Sequence, residues 1–313
     1  MKKPRLLGIG GAHIDRRGRM SAPFIPGASV PGTMQEETGG GVFNALRAAV
    51  QFGVACSLIS VRGGDSAGEA VAAEARRMEI EDLSSTFLDR STSSYTALLD
   101  RNGDVIAALA DMSIYETALP RIITRRATRD AIAASDALLI DANMPETAIR
   151  KLMGQAAGKP VFALAISPAK AVRLRSVLAE LDTLFLNHRE AKAILGLDPD
   201  TVHDAAKLAE ALQARGLLRA VLTNGGQPAC LLDGEKLQFI TPPKPDSIAD
   251  VTGAGDALCG VCVAALLNGK PFGDAVADGL TAATATIETD RAAADFSSKL
   301  RFKALKAAIR PDK

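Results

Sequence analysis

The segment Asp250–Gly260 reads DVTGAGDALCG and runs into an apolar stretch that reaches Leu267, ahead of Asn268-Gly269. Glycines at 253 and 255 let a backbone turn tightly and leave its N–H groups unobstructed, and the helix that follows adds the positive end of its dipole. That combination is an anion site, suited to a phosphoryl group that gathers negative charge during transfer. Asp256 falls in the first turn of the helix, where a carboxylate can accept the proton of an attacking hydroxyl. A carboxylate there also complements the dipole without doing chemistry, and spacing alone leaves both roles open.

Other residues have chemistry-bearing types at suggestive places. Gly39-Gly40-Gly41 precede an apolar helical run that carries Asn44. Asp15 lies just past the first apolar run, and Asn143 stands at the end of another, where α/β sheets place their ligands. Asn187 and Glu190 have the spacing of a helix capping box, and a lone Glu acting through water also suits Mg²⁺, which keeps several waters and few carboxylates. Two patterns lead nowhere. Cys259-Gly-Val-Cys262 has no second cysteine pair or clustered histidine and sits in an apolar helical run, so buried thiols are expected. Gly8-Ile-Gly10-Gly-Ala-His13 begins like a dinucleotide fingerprint but lacks the final glycine, and the chain has no G-x-x-x-x-G-K-[ST] loop.

Taken together, Asp250–Asp256 and Gly39–Ala49 resemble the two signatures of the ribokinase-like (PfkB) family, D-T-x-G-A-G-D and G-G-x-x-x-N-x-A, in the right order and about two hundred residues apart. Val251 replaces the usual Thr, and Leu46 stands where the second motif ends in Ala. The resemblance implies that Asp256 is the catalytic base and that the backbone of Gly253, Ala254, Gly255 and Asp256 forms the anion hole. It implies substrate contacts from Asp15, Gly40, Gly41 and Asn44. Asn187-His-Arg-Glu190 is similar to the family's N-x-x-E motif, which implies a nucleotide contact from Asn187 and a water-mediated Mg²⁺ contact from Glu190. Thr223-Asn-Gly-Gly226 resembles its nucleotide loop, implying ATP contacts from Thr223 and Gly225, although Pro228 and Ala229 stand where a further glycine is expected. Asp250 and Thr252 match positions that frame a monovalent-cation site in several relatives, so K⁺ joins ATP and Mg²⁺ among the expected cofactors. His13 departs from the Asn of nucleoside-type relatives; a substrate contact and a structural role both stay open.

These residues need elements to hold them. Strand-like runs at Arg5–Gly11, Ala55–Val61, Ala137–Ile140, Val161–Ala165, Thr183–Leu186 and Arg219–Leu222 alternate with helical runs such as Val42–Phe52, Ser66–Met78, Glu146–Ala157 and Thr201–Arg215. Ser66, three residues before Glu69, predicts a capping box. The pattern is α/β, and with the resemblance it becomes a ribokinase-like three-layer α/β/α fold around a mostly parallel central sheet. Arg19–Glu37 lacks helical periodicity, and Ser94–Asp111 has two apolar runs around Asn102-Gly103, a hairpin signal. Segments of about 13–38 and 92–113, inserted in one kinase domain over residues 1–313, are therefore expected to form a small β-sheet lid.

Composition narrows the function classes. The chain has 313 residues, 47% of them apolar, ample for a core without staples. A net charge of +1 and the absence of like-charge runs argue against nucleic-acid or membrane-surface partners. The apolar run at the start is broken by Gly8, Gly10 and Gly11, which fits a first strand better than a signal peptide, and no run is long enough to span a bilayer. Four cysteines without a secreted pattern complete the expectation of a cytoplasmic protein with a small-molecule partner. Tyr95–Asp100, Asn102–Asp104, Ala108–Met112, Asp141–Pro145 and Ser167–Lys170 resemble segments of pseudouridine kinases. That points to pseudouridine, phosphorylated at its 5′-hydroxyl, with ribose or another sugar as the alternative. A non-catalytic nucleoside sensor is the alternative of another class; the intact Gly253, Gly255, Asp256 and Glu190 speak against it. Relatives often dimerise through the lid, so a homodimer is an expectation too.

Overall fold

Leu6 and Leu7, like Leu138 and Leu139, belong to opposite faces of one sheet, and each face is buried against its own helix layer. The computed structural model describes residues 3–289, 291, 293–296 and 302. The chain runs through β1 (Arg5–Ile9), β2 (His13–Met20), β3 (Gly32–Gly39), α1 (Gly41–Val50), β4 (Ala55–Ile59), β5 (Val61–Gly63), α2 (Ser66–Arg77), β6 (Glu81–Asp82) and β7 (Ser85–Phe87). Next come β8 (Ser94–Leu99), β9 (Val105–Asp111), α3 (Ser113–Ile122), α4 (Arg126–Ala134), β10 (Ala137–Asp141), α5 (Glu146–Met153), β11 (Val161–Leu164) and α6 (Pro168–Ala171). A 3-10 stretch leads to β12 (Thr183–Asn187), α7 (His188–Leu195), α8 (Ala205–Gln213), β13 (Arg219–Thr223), β14 (Ala229–Asp233), β15 (Lys236–Ile240), α9 (Ala254–Leu267) and α10 (Phe272–Ile287).

The large sheet has nine strands in the order β15-β14-β13-β12-β11-β10-β1-β4-β6. It is parallel except where β14 and β15 join one edge. From β1 the chain steps to β4 and β6 on one side, while β10 and its successors build the other. Strand order thus reverses between β1 and β10, which opens a crevice at the carboxyl ends of those strands. Helices α1 and α9 lie together on one face and touch closely: a Cβ on Gly260 would stand 2.1 Å from the Ala45 carbonyl oxygen. This three-layer α/β/α arrangement is the expected fold class.

A second sheet, in the order β3-β2-β8-β9, is made from the two expected excursions. Strands β2 and β8 pair in parallel at its centre, and Asn102-Gly103 turns the β8–β9 hairpin with Gly103 at φ 96°. Alternation gives it two faces: Asp15, Arg17, Tyr95 and Ala110 share one, and Met34, Leu98, Ala107 and Leu109 the other.

Several boundaries differ from the sequence expectation for physical reasons. Asp65, not Ser66, caps α2, accepting from Gly68 N at 2.8 Å, because the same carboxylate also accepts from Thr92 N at 2.8 Å. Helix α8 starts at Ala205 behind an Asp204 cap, four residues after Thr201. Helix α5 stops at Met153, and Ala157 and Gly158 both turn with positive φ. The run Ala55–Val61 divides between the large sheet and a β5–β7 ribbon.

Candidate active site

The crevice at the carboxyl ends of β1, β10, β11, β12 and β13 holds a cavity of about 620 Å³, and the two-faced small sheet closes over it with Asp15, Tyr95 and Ala110. That size suits a small-molecule site. Its floor is the start of α9. Gly253, at φ 79°, makes the left-handed turn into the helix, and a Cβ on Gly255 would meet nothing within 4 Å. The first-turn N–H groups of Gly255 and Asp256 are ones that helix geometry leaves without an intrahelical acceptor. Gly253, Gly255 and Thr252 line the cavity; Ala254 and Asp250 do not.

Asp256 lines the same floor. Its Oδ2 accepts from Asn44 Nδ2 at 3.0 Å, and Asn44 Oδ1 in turn accepts from Arg47 at 3.3 Å. Burial pushes the Asp256 carboxyl up to about 7; the Asn44 hydrogen bond opposes this, while the charges of Asp141, Asp15 and Glu190 add to it. A carboxylate held near neutrality is poised to take or give a proton at physiological pH.

Helix α1 enters the site through two glycines in tight surroundings. Gly40 turns at φ 113°, and a Cβ on it would stand 2.3 Å from the Gly11 carbonyl oxygen. A Cβ on Gly41 would lie 2.2 Å from Ile166 Cδ1, 3.3 Å from Asp141 Oδ2 and 3.6 Å from Asp256 Oδ1. Asp15 packs against Gly39 and faces His13, whose Nε2 is 3.3 Å from Asp15 Oδ1 and whose Nδ1 is 3.2 Å from the Tyr115 hydroxyl. His13 is therefore both held by structure and exposed to the cavity.

At the β12 end, Asn187 and Glu190 form a full capping box: Asn187 Oδ1 accepts from Glu190 N at 3.0 Å, and Glu190 Oε2 accepts from Asn187 N at 2.8 Å. Both line the cavity. Burial raises the Glu190 carboxyl above its usual range, with the Asn187 bonds opposing. Oε1 is the oxygen left for a water or an ion, and among the described residues no group of three His, Cys, Asp or Glu could hold a metal directly. That donor set fits a water-mediated Mg²⁺ contact. Thr223 lines the cavity, whereas Gly225, at φ 58°, lies outside its lining. His188 is half-buried with Nε2 enclosed and unpartnered. The Asp250 carboxylate accepts from Thr252 N at 2.9 Å and is ion-paired with Arg17 of β2. All four cysteines are free and buried, Cys259 and Cys262 included.

The chain matches the model of the pfkB family carbohydrate kinases over residues 6–299. It belongs to that family. It is 28% identical over 276 residues to the pseudouridine kinase of Escherichia coli (strain K12), covering 88% of each chain. It is 26% identical over 279 residues to a ribokinase of Haemophilus influenzae, covering 86% of this chain and 88% of the relative. A solved carbohydrate kinase from Agrobacterium tumefaciens superposes with a TM-score of 0.86 at 42% identity, covering 98% of both chains. Arabidopsis thaliana ribokinase, solved with ribose and ATP, shares the fold with a TM-score of 0.85 at 18% identity, over 96% of this chain and 99% of that one. This PfkB kinase is thus a phosphotransferase that uses ATP and a hydroxyl acceptor on a small sugar or nucleoside.

Four residues of the kinase site escaped sequence reasoning. Asp141, fully buried, accepts from Gly11 N, Val42 N and Asn143 N at 3.0 Å each, tying β1, α1 and β10 together. Arg47 is buried between Glu74, at 2.9 Å, and the Thr38 carbonyl at 3.1 Å, fixing the root of β3. Lys170 lines the cavity and donates to Asn143 Oδ1 at 2.5 Å. Ile166 turns at φ 70°, closed by a Ser167 N to Ala165 carbonyl bond of 2.8 Å, a rare γ-turn that aims the following residues inward. The only sequence signal for Asp141 and Lys170 was a strand-end position and a short segment resemblance.

Proposed function

We propose that this kinase transfers the γ-phosphoryl group of ATP to the 5′-hydroxyl of pseudouridine, with Asp256 as general base. The observation that carries the chemistry is the Asp256 carboxyl, pushed up to about 7 beside the glycine-opened start of α9. The likeness to a pseudouridine kinase over 88% of both chains supports the substrate. Ribose is the second reading, favoured by the similarity to ribokinases.

In this mechanism the hydroxyl gives its proton to Asp256 as its oxygen attacks the γ-phosphorus, and the bond to the ADP oxygen breaks. The N–H groups of Gly255 and Asp256 and the α9 dipole, in the segment Gly253–Asp256, stabilise the charge on the transferring group. Asp15, Asn44 and Asn143, with the bare backbone of Gly40 and Gly41, hold the acceptor; Asn187, Thr223 and Gly225 hold the nucleotide. Glu190 would hold Mg²⁺ through water, and the ion would supply neutralisation of the phosphate charge. The small sheet acts as a lid that excludes water, within one kinase domain. Asp250 and Thr252 are the residues proposed for a monovalent cation, which has to compete there with the Arg17 guanidinium.

The test is ADP release with Mg-ATP and pseudouridine, uridine, adenosine, ribose or fructose, with and without K⁺. Turnover confined to pseudouridine is expected; turnover of ribose in preference to it sinks the nucleoside assignment and keeps the mechanism. An unchanged rate without K⁺ removes the cation role of Asp250 and Thr252.

A further inference from the structure

The wall of the cavity across Gly41 from Asp256 carries Asn143 and Lys170, and its hydrogen-bond directions are fixed. Asn143 Nδ2 donates to Asp141 Oδ2 at 3.1 Å, and Asn143 Oδ1 accepts from Lys170 Nζ at 2.5 Å. The flipped amide would set its NH₂ against an ammonium and its carbonyl against a carboxylate that already accepts three backbone N–H bonds, so only one orientation is tenable. One of the two lone pairs of its acceptor oxygen is thereby taken by an ammonium. What the pair offers a ligand is the second Asn143 N–H and the two other Lys170 N–H groups, three donors against a single remaining lone pair. Lys170 is half-buried; burial lowers its pKa, with Asp141 opposing and Arg173 adding. Of the carboxylates that line the cavity, Asp256 lies across Gly41 from this wall and Asp15 lies against Gly39, and both are assigned to the hydroxyl end in the proposed reaction.

We propose that Lys170, together with Asn143, is a specificity-determining donor pair that binds a carbonyl oxygen on the part of the substrate remote from the phosphorylated hydroxyl. The inference rests on the nucleoside reading and deepens it. A uracil-type base offers two ring carbonyls to such a wall, whereas an exocyclic amino group would face donors with a donor, and a base-free sugar would leave the wall unused. Leaving desolvated donors unpaired is what makes a site of this kind selective. Because the contact is distant from the reacting atoms, it contributes equally to ground state and transition state and is expressed in KM.

The experiment is steady-state kinetics of the wild type, Lys170→Met and Lys170→Arg with pseudouridine and with ribose, with the KM for ATP as internal control. Lys170→Met is expected to raise the pseudouridine KM about tenfold or more and to narrow the pseudouridine-over-ribose ratio of kcat/KM by a similar factor. Lys170→Arg, which keeps donors and charge, should recover most of that loss. Pseudouridine turnover that is indifferent to Lys170→Met, or a loss shared equally by ribose and by ATP affinity, overturns the inference while leaving the proposed reaction standing. A wild type that phosphorylates only base-free sugars overturns both.

Discussion

Asp256 is asked to be ionised when it takes the hydroxyl proton, yet its surroundings favour the neutral form, and that conflict has measurable consequences. With its carboxyl pushed up to about 7, turnover should rise with pH through about 7 and level off above it. The stability effect has the opposite sign. The unfolded chain releases this proton near an ordinary carboxylate value of about 3.9, so between there and about 7 the native state binds more protons and loses stability as pH rises. Asp256→Asn, which cannot ionise, should therefore melt above the wild type at pH 8, by about 2 °C or more, with the gap closing toward pH 4. The same variant should lose about 10²- to 10⁴-fold in kcat while still binding nucleoside, as a ligand-induced melting shift would register. A kcat within tenfold of the wild type would remove Asp256 as the base.

At the scale of elements, the small sheet is fastened to the kinase body at two places that differ in burial. Arg47 is enclosed at the foot of β3, held by Glu74 and the Thr38 carbonyl, so it sets where the sheet is rooted. Arg17, on the same face of β2 as Asp15, reaches the Asp250 carboxylate just before the Gly253 turn and ties the free part of the sheet to that loop. The Arg17 pair is partly exposed, and such pairs contribute about 1 kcal/mol or less to stability. Arg17→Ala should therefore leave the melting temperature nearly unchanged. Its cost should appear in closure: a KM for the acceptor raised about three- to tenfold and faster ATP hydrolysis without acceptor, as water gains access. Unaltered KM and unaltered idle hydrolysis would mean that this contact does not govern the lid.

At the scale of the whole molecule, the small sheet has an outward apolar surface that the core does not use. On the outer face of the small sheet, Leu109 is 70% and Met34 55% exposed, with Leu98 and Ala107 beside them. Scattered exposed apolar residues need no explanation, but Met34, Leu98 and Ala107 in one row of the sheet, with Leu109 next to it, fit a contact between two copies. We propose a homodimer joined through this face. Leu109→Glu would place a charge in the joint and should yield a monomer in sedimentation equilibrium at concentrations where the wild type is a dimer. A wild type that sediments as a monomer throughout sinks the dimer. Among the described residues, no helix is long and apolar enough to cross a membrane.

Much of this protein was already fixed by local pattern. Strand and helix alternation gave the α/β class, because apolar runs of strand length between helical periods can bury themselves only as a parallel sheet with helices on both faces. The Gly253–Asp256 turn, the Gly40-Gly41 entry to α1 and the Asn102-Gly103 hairpin were legible because glycine permits backbone that other residues cannot adopt, a property visible one residue at a time. Asn187 and Glu190 showed themselves by a spacing of three, which is the pitch of a helix turn. The tertiary structure alone decided the rest. Asp141, Arg47 and Lys170 show little of their roles locally; those roles come from partners such as Gly11 for Asp141, Glu74 for Arg47 and Asn143 for Lys170, which lie 130, 27 and 27 residues away and are brought together by strand order. The same holds for Arg17 against Asp250, and for the carboxyl of Asp256, whose raised affinity for a proton is the product of burial and of three carboxylates from three other elements. A sequence determines what each backbone segment can be, whereas the field around a charge depends on which distant segments the fold sets beside it.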